Sequence, residues 1–178
     1  MHLTDSKTRE TGNFLALSTL RVSRLFQSKP LFFSFCKGKE LMAYIEYSEN
    51  GDSPLQKLLG HNQEVLKKWD LLLDTFYQFS SFDPQLQEEV RRAIAYQIGC
   101  AQCMSFGCPS QIIQDPKTKT AVDFAKKMTQ TNLPISKEDI EKLKKHFSDK
   151  EIAELTAFIS FGTGYARFGA ALSVDVKT

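Results

Sequence analysis

No apolar run in this chain approaches the roughly 18 residues that a bilayer-crossing helix requires. The strongest, Leu31-Phe32-Phe33, meets Ser34 at once, so no membrane partner is expected. Charge of one sign is scarce as well. The 23 Lys and Arg against 21 Asp and Glu leave a net charge of +2, too little to argue for nucleic acid, and no basic patch is interleaved with aromatics. The four cysteines do not read as the staples of a secreted domain. Cys100, Cys103 and Cys108 are bunched, whereas scaffold cysteines disperse to close loops. A reducing cytoplasm is the compartment expected. No segment alternates apolar and polar residues for long enough to argue for a sheet. What is there, 178 residues with 42% hydrophobic and 25% charged, suits one globular domain with a sizeable core.

From about Pro54 the periodicity is helical to the end, and the expected fold class is all-α. Val65, Leu66, Trp69, Leu72, Leu73 and Phe76 recur at three- and four-residue spacing, which marks an amphipathic helix. Asp83-Pro84 opens the next one, since aspartate caps and proline fits the first helical position; Leu86, Val90, Ala93, Ile94 and Gln97 then share a face. Asp115-Pro116 precedes Val122, Phe124, Ala125 and Met128. Ser136 leads into Ile140, Leu143 and Phe147, with Glu138 and Asp139 placed against the positive helix end. Ser148-x-x-Glu151 is a capping-box pattern ahead of Ile152, Leu155, Phe158 and Ile159. Gly162 and Gly164 weaken this last helix by about 1 kcal/mol each, which points to a close helix approach or a subunit contact.

Residues 1–41 carry scattered Ser and Thr without a sustained period and read as an extension ahead of a helical domain at 42–178. Arg9, Arg21 and Arg24 suit a targeting peptide, but Asp5 and Glu10 do not, and no cleavage site stands out. The alternative is translation from Met42, because codons for Lys37-Gly38-Lys39-Glu40 are purine-rich and resemble a ribosome-binding site; this is the expectation favoured.

Cys100-Ala101-Gln102-Cys103 is the candidate chemical centre. Cysteines three apart share one helical face, within reach of a reversible disulfide. A free thiol titrates near pH 8.5, but a Cys-x-x-Cys at a helix start can fall to about 7. In the redox reading one thiol attacks an oxidant and the other resolves the product. Two plainer readings compete. Free cysteine is often a small core residue, and Cys100, Cys103 and Cys108 begin like a zinc knuckle. Structural zinc takes four ligands, however, and His61 and His146 are distant in sequence. Cys108, before Pro109, is a third redox partner or a bystander. Glu88 lies twelve residues before Cys100 on a side shared with Arg92, Ala95 and Gly99. Spacing alone makes Glu88 and Arg92 an exposed i, i+4 ion pair worth a few tenths of a kcal/mol; the functional alternative has the carboxylate handling a cysteine proton. His61 is expected to close a turn and His146 to be solvated.

Taken together, Leu58-Leu59-Gly60-His61-Asn62 with Val65-Leu66 and Trp69, Glu88 with the cysteine pair, Ala121-Val122-Asp123-Phe124-Ala125, Ile135-Ser136 with Asp139-Ile140, and Phe147-Ser148-Asp149 with Glu151-Ile152 resemble the carboxymuconolactone decarboxylase superfamily, in its alkyl hydroperoxidase D-like branch. The likeness runs from about residue 54 to 175. It implies an oligomeric helical bundle, a homotrimer or a dimer of trimers. It also implies a peroxidase site in which Cys103 attacks peroxide, Cys100 resolves the sulfenic acid, and Glu88 belongs to a proton relay. The family's relay histidine stands four residues after the second cysteine, where this chain has Gly107, and a histidine common between the cysteines is here Gln102.

The function expected is thus an antioxidant thiol–disulfide oxidoreductase acting on peroxide. It needs no cofactor or metal, and a dithiol or lipoylated reductant protein restores it. A lactone decarboxylase on the same fold is a rival that does not depend on paired cysteines. A non-enzymatic helical oligomer switched by its disulfide is another, favoured by the missing histidine.

Overall fold

Prolines and short polar side chains set where the helices begin. The computed structural model describes residues 43–174, so the expectations for residues 1–41, for a start at Met42 and for Cys36 lie outside the described residues. Pro54, Pro84 and Pro116 each occupy the first turn of a helix, behind Ser53, Asp83 and Asp115, whose side chains accept backbone N–H bonds from Gln56, Gln85 and Thr118. These open α1 (Pro54–Leu59), α3 (Pro84–Ile98) and α5 (Pro116–Met128). Asn62 caps α2 (Gln63–Gln78), Cys100 caps the short α4 (Ala101–Ser105), and Ser136 and Ser148 precede α6 (Lys137–Leu143) and α7 (Asp149–Ala171). No strand occurs among the described residues, and none of their helices is long and apolar enough to cross a membrane.

The middle of the bundle is α3, lying against α5 on one side and α7 on the other, with α4 folded back between α3 and α7. Val90, Ala93, Ile94 and Ala95 of α3, Ala121 and Val122 of α5 and Leu155 and Ile159 of α7 are buried there. Gln97, grouped with that face by its spacing, is exposed at the end of α3 instead. Helix α2 stands on α7 through rings: Trp69 lies 5.7–5.9 Å from Phe161, Tyr165 and Phe168, and Phe76 lies 5.6 and 5.5 Å from Phe158 and Phe161. Leu66, Trp69 and Phe76 form the inward stripe, which rotates Val65 and Leu72 onto a flank; with Leu71 they are 38%, 43% and 63% exposed. Spacing alone does not separate Val65 and Leu72 from the inward residues of this amphipathic helix.

The glycines of α7 differ in what surrounds them. A Cβ at Gly162 would meet Ile94 Cδ1 at 3.2 Å, a Cβ at Gly164 would meet nothing within 4 Å, and a Cβ at Gly169 would meet Cys100 Sγ at 2.8 Å. Gly164→Ala is therefore expected to stabilise the fold by about 0.5–1 kcal/mol through helix propensity. Gly169→Ala gains the same propensity but overpacks a buried sulfur, a cost of about 1–3 kcal/mol, so it is expected to destabilise. Urea midpoints at unchanged m-values check both.

Helices α5 and α7 are tied by charge. Glu151 closes the Ser148 capping box, accepting from Ser148 N and Oγ at 2.8 and 2.9 Å, and Lys117 Nζ donates to it at 2.8 Å. The lysine first, then the serine bonds, pull its carboxyl from the ordinary 4.5 to about 2. A carboxyl depressed by folding contributes stability that is full above its unfolded value and drains as pH falls through its folded one. The stability gap between the wild type and Glu151→Gln is thus expected to be widest above pH 4.5 and to close toward pH 2, as denaturation at neutral pH and in acid will show.

Candidate functional site

Helix α3 ends at Gly99, whose φ of +77° turns the chain sharply, a conformation that glycine adopts without strain. No neighbour lies within 4 Å of where its Cβ would stand, so the backbone angle alone demands glycine here. The turn delivers Cys100 to the N-cap of α4, where its Sγ accepts from Cys103 N at 3.2 Å. Cys103 follows in the first turn, with its Cα 5.2 Å from that of Cys100, and the two sulfurs are bonded to each other as a disulfide. The pair thus sits at a helix entrance, with its two sulfurs adjacent as the three-residue spacing allows. Cys100 is fully buried beneath Gly169 of α7, whereas Cys103 is 8% exposed. Between them Gln102 is buried, and its Oε1 has no hydrogen-bond partner among the described residues.

Glu88 sits one helical turn before two arginines and is clamped by both. Arg91 Nε and Nη2 hold its two oxygens at 2.7 and 2.8 Å, and Arg92 Nε holds Oε1 at 2.9 Å. Burial pushes the carboxyl up, but the bonds and charge of Arg91, then of Arg92, outweigh it and hold the group below 4.5. The i, i+4 pair read from the sequence exists, half-buried rather than exposed. Arg91, at i+3, was not singled out, yet its Nη1 donates to the backbone oxygen of Cys103 at 2.8 Å. The site is therefore joined to Glu88 through a residue whose only sequence signal was a second admissible helical spacing.

Arg92 extends the network outward. Its Nη1 reaches the buried Glu89 at 3.0 Å, and Glu89 also accepts from Ser110 N and Oγ at 2.9 and 2.6 Å. The same guanidinium lies over Gly107: a Cβ there would stand 3.1 Å from Arg92 Nε, and φ is +134°. Cys108, exposed, turns to Tyr96, with its Sγ 2.8 Å from the phenol oxygen. Among the described residues no three His, Cys, Asp or Glu side chains converge as metal ligands. His61 lies in the turn between α1 and α2, as expected, with Nε2 2.8 Å from Glu46 O. His146 is exposed.

No family profile matches the chain, and no curated protein matches it either. Solved structures do. An uncharacterized peroxidase-related protein from Silicibacter sp. TM1040 is similar at 18% identity, over 79% of this chain and 94% of that one, with a TM-score of 0.61. The apo form of the debrominase Bmp8 is similar at 15% identity, over 70% of this chain and 77% of that one, with a TM-score of 0.60. At such identities the likeness is one of fold. The all-helical architecture is the fold this chain shares with those structures, and the site it frames is a Cys-x-x-Cys pair at sulfur-bonding distance, compatible with thiol redox chemistry.

Proposed function

We propose that this protein is a thiol–disulfide oxidoreductase that reduces hydroperoxides through Cys103 and Cys100. One observation carries the reading: the two sulfurs meet as a disulfide at the mouth of α4, with Cys103 on the outer side. The Cys103 thiolate attacks one peroxide oxygen and the O–O bond breaks. The other oxygen leaves with a proton as alcohol or water, and Cys103 becomes a sulfenic acid. Cys100 then displaces hydroxide from that sulfur, releasing water and forming the disulfide. A dithiol donor, which the family resemblance suggests is a lipoylated protein, reduces the bridge and is itself oxidised to a disulfide. Glu88 completes the candidate site. Cytoplasmic antioxidant work and assembly as a homotrimer or dimer of trimers belong to the same reading; the apolar flank of Val65, Leu71 and Leu72 supports a covered face.

The test is a thiol count before and after one equivalent of hydroperoxide, with peptide mapping of the bridge. Loss of the Cys100 and Cys103 thiols, with Cys36 and Cys108 retained, is the expected result. A bridge elsewhere, or no loss, sinks the proposal. Bridge formation without turnover would instead select a redox-switched oligomer. That reading draws on Gly107, where Arg92 lies over the position of the family histidine.

A further inference from the structure

Arg91 touches two groups that the sequence presents as separate. Its Nε and Nη2 occupy both oxygens of Glu88, and its Nη1 takes the backbone oxygen of Cys103 at 2.8 Å. The guanidinium carbon lies 5.7 Å from the centre of the Phe106 ring, and the side chain is only 17% exposed. A helix leaves its last four carbonyls without partners inside the helix, and in the five-residue α4 the Cys103 carbonyl is one of them. A planar fork suits this three-way contact in a way that a lysine amine does not.

Glu88 has no such contact with Cys103. Both of its oxygens already accept from guanidinium groups, Oε1 from two of them. An ionised carboxylate so occupied is an acceptor with no proton to give.

We propose that Glu88 and Arg91 act on Cys103 as a fixed counter-ion pair: Arg91 is the positioning residue that presents a cation to the Cys103 turn, and Glu88 sets how much of that charge is left over. The assignment rests on the redox role proposed for Cys100 and Cys103 and goes beyond it, because it gives Glu88 an electrostatic task instead of a proton-carrying one and brings in Arg91. A cation near a thiol favours its thiolate, and a neighbouring anion opposes it. Removing Arg91 therefore disfavours the reduced pair, and neutralising Glu88 favours it.

The experiment is the equilibrium of the full-length protein with glutathione redox buffers, for wild type, Arg91→Met, Arg91→Lys and Glu88→Gln, each first checked by circular dichroism for the wild-type fold. Arg91→Met is expected to shift the equilibrium about tenfold toward the disulfide, which is about 30 mV for a two-electron couple. Glu88→Gln is expected to shift it severalfold toward the dithiol, and Arg91→Lys, which keeps the charge but not the fork, to fall between wild type and Arg91→Met. Opposite signs for Arg91→Met and Glu88→Gln support the pair. Shifts in one direction would mean only a loosened turn and overturn it. A Glu88→Gln protein with an unmoved equilibrium but a slower reaction with cumene hydroperoxide would make Glu88 a proton carrier and overturn it too. Should Arg91→Met fail to fold, the sign for Glu88→Gln decides alone. None of these equilibria needs peroxide, so a wild type without peroxide turnover refutes the peroxidase reading while leaving this measurement standing.

Discussion

Cys103→Ser will abolish peroxide-dependent sulfenic acid formation, read as the loss of dimedone labelling, whereas Cys100→Ser will leave a dimedone-reactive Cys103 that no longer closes. The asymmetry follows from burial. Cys100 Sγ lies 2.8 Å from where a Cβ on Gly169 would stand and is fully enclosed, whereas Cys103, though buried, keeps 8% of its surface exposed, so in the proposed mechanism peroxide reaches Cys103 first. A serine hydroxyl at 103 is a far weaker nucleophile at neutral pH. In the proposed mechanism the two thiols work as one unit, so either substitution should cost turnover several orders of magnitude, and the double variant should be no worse than Cys103→Ser. Labelling that survives Cys103→Ser would move the nucleophile to another thiol, with exposed Cys108 the first to map.

The parts of this molecule that were readable from the sequence are those set within one helical turn. Asp83-Pro84 and Asp115-Pro116 start helices where a cap and a pre-set φ predict them, and Ser148 with Glu151 closes its box. Glu88 and Arg92 pair at i, i+4. Cys100 and Cys103 meet because a cap and the third residue beyond it are neighbours whatever the rest of the chain does. The residues that escaped the sequence are those whose partners arrive from another element. Arg91 meets the Cys103 carbonyl only because Gly99 reverses the chain and lays α4 back along α3. Glu89 looks like one more surface acid, yet it is buried because Ser110 returns across it. Gly169, at the far end of the chain, is the glycine pressed against the disulfide, while Gly162 meets only an Ile94 methyl and Gly164 meets nothing. On α2 the apolar period was visible, but which side of it faces α7 was decided by the large rings of Trp69 and Phe76, which left Val65 and Leu72 outside.

Gly107→His, which introduces a histidine where the resembling family carries one, is expected to lower stability and leave the peroxide rate no higher. The backbone at 107 has φ of +134°, a region in which a side chain costs on the order of 1–3 kcal/mol. The first atom of that side chain would stand 3.1 Å from Arg92 Nε and 3.3 Å from Nη2, so the guanidinium must move. A shift of a few tenths of an ångström strains the bonds of Arg92 to Glu88 Oε1 and to Oε1 of the buried Glu89. Weakening a charged donor to a buried carboxylate adds to that cost, up to about 1–3 kcal/mol if the bond is lost altogether. A urea midpoint and the rate of single-turnover oxidation, measured on the same preparation, check both halves. A variant as stable as wild type with faster oxidation would mean that the loop after α4 has room for an imidazole. The expected result is a less stable protein with no gain in rate, because in this chain the space over residue 107 belongs to an arginine already committed to two glutamates.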